Sequence, residues 1–251
     1  MGRRRGSVIP WLLAAGAFAA WWTLWRRVRQ PYYPDIALQA GLELLSRPRR
    51  VLAIGPHPGD LECFVGGTLK LLAQNGGAVT MAVLSRGELA TNRANIAEIR
   101  TREAEAGAAI LSANLIQMDL PDGQVRPGAA LDQALDDLWQ RVEPDVVLAF
   151  DPKGPLPFAN NPDHIAVGAA VLARIRRGVN AGERVYFYGT PAPNVLADIT
   201  EVLQEKTAAL GAHRSQLHGP DVAFRYWTRS VSRLHSGQTP AMYTEALYRL
   251  V

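Results

Sequence analysis

One histidine and two carboxylates crowd the turn after an apolar run. From Val51 to Leu69 the chain reads V-L-A-I-G-P-H-P-G-D-L-E-C-F-V-G-G-T-L. His57 and Asp60 can point two ligand atoms at one cation while Glu62 stands close by, and a divalent ion held this way makes water a nucleophile. The same residues also read as a type II turn with Pro58 and Gly59 at its centre and Asp60 capping the next helix. A second group lies far along the chain, where the run ending at Phe150 leads into D-P-K-G-P-L-P-F-A-N-N-P-D-H, closing on His164. His164 alone could be a capping or packed histidine. Together, His57, Asp60 and His164 make a two-histidine, one-carboxylate set, which suits Zn2+ with a fourth position open to water.

Such loops need strands to carry them. Val51–Ile54, Val79–Leu84, Leu115–Met118, Asp145–Phe150 and Val185–Gly189 read as short buried strands. Between them, helical spacing covers Ile36–Leu45, a helix beginning near Gly66 and closed by Gly76 and Gly77, then Asn95–Leu111, Ala130–Val142, Val167–Ile175 and Ile199–Leu210. The tail from Pro240 is expected to end in a helical segment. Strands alternating with helices predict an α/β fold, a mostly parallel sheet with helices on both faces and right-handed crossovers. Both histidine loops would then sit at carboxyl ends of strands, where open α/β sheets bind ligands.

The chain has 251 residues with 48% hydrophobic content, enough for a sizeable core. Its 27 Lys and Arg against 23 Asp and Glu give a net charge of +4. Arg3, Arg4, Arg5, Arg26, Arg27 and Arg29 flank one apolar stretch, so the remainder is close to neutral and no nucleic-acid partner is expected. Cys63 is the single cysteine, which excludes an intrachain disulfide and reads as a small packed side chain.

Residues 8–25 carry no charge and as a helix would span about 27 Å, near the thickness of a bilayer core. Trp11 at one end and Trp21, Trp22 and Trp25 at the other match interfacial aromatic belts. A cleavable signal segment is the rival, with Ala17-Phe18-Ala19 as its cleavage site; the continuing apolar character through Leu24 and Trp25 favours an uncleaved anchor. The expectation is a single-pass membrane protein: residues 1–30 the anchor (or signal segment) with basic flanks, 31–48 a tether and short helix, 49–251 the globular domain.

The ordered motifs carry a resemblance. H-P-x-D-x-E-x-x-x-G-G-T-L, an I-x-E-I-R-x-x-E helix, L-P-D-G, a strand ending in D-P, P-D-H-x-A-V-G, and K-x-x-A-L-x-x-H-x-S-Q ending at Gln216 are similar to the PIG-L/LmbE family of zinc-dependent N-deacetylases, over roughly residues 49–250. The resemblance implies a Rossmann-like fold and removal of an acetyl group from an N-acetylglucosaminyl conjugate, of small-molecule or lipid-linked type. It aligns His57, Asp60 and His164 with the family's metal ligands, and it offers Arg100, Arg102, His213 and Gln216 as substrate contacts, beside their roles in packing and on helix surfaces.

Two positions depart from the pattern. The family's H-P-D-D has its general base where Gly59 stands, and its H-P-D-H has a histidine where Asn161 stands. A positioned acid or base contributes typically about 10²–10⁴ in rate, so three outcomes are open. Glu62 or Asp163 takes over proton transfer, with Glu62 also readable as an ion-pair or helix-start carboxylate; Asn161 donates its amide to an oxyanion; or the domain binds metal or sugar without turnover. Dinucleotide binding is disfavoured, because G-P-H-P-G-D lacks the phosphate-binding glycines of G-x-G-x-x-G.

Overall fold

Side chains alternate along the central strands, and both sets are apolar. Val51 and Ala53 fall in one buried cluster, Leu52 and Ile54 in another; Val146, Leu148 and Phe150 join the first, Val147 and Ala149 the second. A strand apolar on both faces needs a covering layer on each, which helical crossovers supply. A computed structural model of the chain shows this arrangement, and it describes residues 34–46, 50–91, 93–153, 161–178, 184–217, 221–236 and 239–250.

The described elements are α1 (Pro34–Ser46), β1 (Arg50–Gly55), α2 (Asp60–Gln74), β2 (Ala78–Ser85), α3 (Ile96–Leu111), β3 (Asn114–Leu120), α4 (Ala129–Val142), β4 (Val146–Phe150), α5 (Pro162–Arg176), β5 (Arg184–Tyr188), β6 (Val195–Asp198), a 3-10 turn (Thr200–Val202), α6 (Leu203–Gly211), α7 (Asp221–Ser232) and β7 (Thr244–Arg249). Leu44 of α1, Leu61, Val65, Leu69 and Leu72 of α2, Leu111 of α3 and Ala209 of α6 fill one side of the sheet. Leu131, Leu135 and Leu138 of α4 with Val167 and Val171 of α5 fill the other.

Sheet order is β3-β2-β1-β4-β5-β7-β6. β1 pairs in parallel with β2 (Val51 opposite Val79) and with β4 (Val51 opposite Val146). The chain leaves β1 towards β2 and β3, then returns to lay β4 on β1's other side. This reversal opens a crevice beyond the carboxyl ends of β1 and β4.

Several expectations are corrected. α2 starts at Asp60 rather than near Gly66, and Gly66 and Gly67 lie in its interior. Close packing explains Gly67: a Cβ there would come within 2.7 Å of Ile199, and the backbone N–H groups of Gly67 and Thr68 donate to Glu245 at 2.9 and 2.7 Å. The tail contains a strand, not a helix. β7 enters antiparallel between β5 and β6, so tertiary pairing overrides the helical preference of its Glu, Ala and Leu. β6 and α7 went unforeseen. The single-pass membrane localisation is also overturned: among the described residues no helix is long and apolar enough to cross a membrane. Residues 8–25, on which that expectation rested, lie outside those described.

Candidate metal centre

His57 and Asp60 come from the turn that ends β1, and His164 from the first turn of α5. Gly59 makes the turn possible, with φ +96°, a left-handed conformation that costs other L-residues roughly 1–2 kcal/mol. α5 is started by Asn161, whose side-chain oxygen accepts from the Asp163 N–H at 2.9 Å, followed by Pro162 in the first helical position. The His164 ring stacks on Phe150, the last residue of β4, with centroids 3.9 Å apart and planes within 10°. Strand and helix together fix the direction of its nitrogen.

Asp60 Oδ2 lies 3.3 Å from His57 Nδ1 and 3.4 Å from His164 Nε2. Nitrogen and oxygen ligands held at ~2.0–2.1 Å by a tetrahedral ion lie about 3.3 Å from one another, so the donor set fits zinc in chemistry and spacing. His57, Asp60 and His164 together bring their ligand atoms within 4.8 Å of one another. The other nitrogen of His57, Nε2, lies 3.1 Å from Asp122 Oδ1 and 3.4 Å from Asp163 Oδ2. A carboxylate on the far side of an imidazole fixes the tautomer and leaves Nδ1 free for a cation.

Among the protein groups alone, burial depresses the His57 pKa, but hydrogen bonds and charges of Asp122 and Asp60 outweigh it and lift it to about 10. Burial likewise pushes Asp60 up, and its bonds to His164 and His57 overcome this and hold it below the ordinary carboxylate range. The hydrogen bond to His57 is the main cause that lowers Asp122.

His57, Asp122 and Asp163 form a second group of the same ligand spacing. Its carboxylates are already engaged. Asp163 Oδ1 pairs with Arg126 Nη1 at 2.5 Å and Oδ2 accepts the Gly123 N–H at 2.9 Å, while Asp122 Oδ2 accepts from Leu89 N at 2.9 Å. Asp163 therefore braces the β3–α4 loop against α5. Asp122 and Arg126 were not among the expected site residues, although the L-P-D-G stretch that holds Asp122 also lies at the carboxyl end of a strand, β3.

The remaining expected residues divide. Arg100 is buried and its guanidinium donates to the carbonyls of Pro58 and Gly87, both at 2.8 Å, so it ties the His57 turn to the loop after β2. Arg102, two residues on and about 200° round the helix, is exposed. Gln216 donates to Ser215 Oγ at 2.9 Å. Glu62 and His213 are brought together at 2.9 Å, and the His213 ring adjoins Gly59. Cys63 is half-buried and free, its thiol pushed up to about 12 by burial, which fits a packed side chain.

A family profile described as PIG-L, GlcNAc-PI de-N-acetylase, matches residues 52–175, a span that holds all three ligand candidates. Over that span the chain is similar to the PIG-L family. Among PIG-L relatives, the diacetylchitobiose deacetylase of Thermococcus kodakarensis is 28% identical over 223 residues, covering 79% of this chain and 82% of that protein. The N,N′-diacetylchitobiose deacetylase of Pyrococcus horikoshii, solved with an inhibitor, superposes with a TM-score of 0.72 at 25% identity, over 86% of this chain and 88% of its own. A 4-oxalmesaconate hydratase of Pseudomonas putida is 27% identical over 213 residues, 74% of this chain and 80% of its own. As a PIG-L homologue of deacetylases the chain is an enzyme, with a His/Asp group able to hold a metal ion.

Proposed function

We propose that this protein is a zinc-dependent deacetylase that hydrolyses the acetamido group of an N-acetylglucosaminyl conjugate, giving a free amine and acetate. The observation that carries the reading is the convergence of His57 Nδ1, Asp60 Oδ2 and His164 Nε2 from two strand ends at metal-ligand spacing. Zinc bound there would polarise the acyl oxygen and lower the pKa of water. Asp122 holds the His57 ring, Phe150 stacks against His164, and the Asp163–Arg126 pair pins the start of α5, so the donors are pre-set by the protein itself.

The test is acetate release from N-acetylglucosaminyl substrates after chelation and zinc restoration. Release should return with zinc and be absent from His164→Ala; no release above that variant rejects the reading. A second reading, a domain that binds metal or sugar without turnover, is favoured by the bare Gly59 and by Asn161 being committed to its helix cap. Robust acetate release disposes of it. Hydrolysis and hydration both deliver water to an activated carbon, so 4-oxalmesaconate serves as counter-substrate. Hydration of it without acetate release would replace the deacetylase assignment.

A further inference from the structure

Next to the ligand turn lies a buried acid–imidazole pair that the ligand set does not use. His213, just past α6, places Nε2 2.9 Å from Glu62 Oε1, and both side chains are 1% exposed. Glu62 follows Asp60 by two residues on α2, about 200° round the helix, so it leaves the ligand-bearing side. It runs under Gly107 of α3, where a Cβ would come within 2.5 Å of Oε1. The carboxylate accepts from Nε2–H, which leaves the lone pair of His213 on Nδ1. That nitrogen is buried without a hydrogen-bond partner among the described residues.

The ring lies across position 59. A Cβ built on Gly59 would stand 3.6 Å from both Nδ1 and Cγ of His213. Because Gly59 bears no side chain, the His213 ring lies directly beside the backbone of the turn that carries His57 and Asp60.

We propose that His213, beside the bare Gly59, is the proton acceptor for the attacking water, and that Glu62 is the positioning residue that holds its tautomer. The inference rests on the deacetylase reading. Other bases near the ligands are occupied: Asp122 faces His57 and Leu89 N, and Asp163 faces Arg126 and Gly123 N. Asn161 is a neutral amide. In the step, one water O–H bond breaks and its proton passes to Nδ1 while the oxygen bonds to the acyl carbon. When the C–N bond then breaks, the leaving nitrogen keeps the electron pair and takes the proton back from the imidazolium, so the products are the acid and the amine and the ring ends neutral.

Two measurements test it. In the full chain stripped of metal, long-range proton–nitrogen NMR correlations should show His213 protonated on Nε2 and bare on Nδ1, and Glu62→Gln should populate the other tautomer. With zinc restored, His213→Asn should lower kcat by about 10²–10⁴ while KM and bound metal stay within about threefold, the signature of a lost proton acceptor. A ring protonated on Nδ1 overturns the proposal, as does an active parent whose kcat survives His213→Asn, or a variant that loses metal in step with activity. A parent that releases no acetate removes the deacetylase reading and this role with it. The other failures remove only the role of His213.

Discussion

Both ring nitrogens of His57 face carboxylates, so its proton is strongly held until a cation competes for Nδ1. Metal uptake must displace that proton. Near pH 8, calorimetry in buffers of different ionisation enthalpy should register about one proton released by His57 per zinc bound, and His57→Gln should abolish that release. The sign for stability runs the other way in stripped protein. A pKa raised to about 10 from the usual 6.5 stabilises the fold fully below pH 6.5, and that contribution fades as pH rises through about 10. Asp60 and Asp122, held low, are the other ends of the same contacts and are not counted twice. Thermal melts of chelator-treated protein should therefore fall from pH 6.5 to 10, and a flat profile would refute the pairing. Of these residues, the grouping of His57, Asp60 and His164 was legible because their types and order along the chain are those of a candidate ligand set. Asp122 was not, since an Asp-Gly turn looks the same whether or not its carboxylate touches an imidazole.

α2 links the ligand turn to the far edge of the sheet. Its Gly67 and Thr68 N–H groups and the Thr68 hydroxyl donate to Glu245 of β7, whose Oε1 also pairs with Lys206 of α6 at 2.5 Å. Lys206 and Glu245 are each 2% exposed. Removing one partner from a buried ion pair typically costs ~3–5 kcal/mol. Lys206→Met should sit near ~3 kcal/mol, because Glu245 keeps its three other donors; a lowered urea midpoint at unchanged slope would show it. The long strands and helices were legible from period alone. β7 was not, because T-E-A-L-Y-R gains its strand identity only from the two neighbours it pairs with, and α2's true start hid behind a glycine pair that looked like a break. Its second member, Gly67, is there for close approach to Ile199 and Glu245.

At the scale of the molecule, the site straddles the reversal of the sheet. One ligand loop ends β1, the other follows β4, and a shared ion would clamp the two crossover layers to each other. Zinc in large excess over its dissociation constant should then raise the melting temperature, since ligand at a hundredfold excess adds about 2.7 kcal/mol; His164→Ala should show no such rise. The α/β class and the crevice were readable from alternation of elements. The antiparallel edge was not, because nothing local in residues 195–198 or 244–249 announces which strand each will meet. That edge bears on how the chain matures during synthesis. β7 follows every other described element, yet Glu245 is the carboxylate that Lys206 and the middle of α2 wait for. A ribosome that has delivered both halves of the ligand set still holds back the residue that neutralises the interior ammonium, so a nascent chain stopped before residue 244 should remain open to proteases although its ligand motifs are complete.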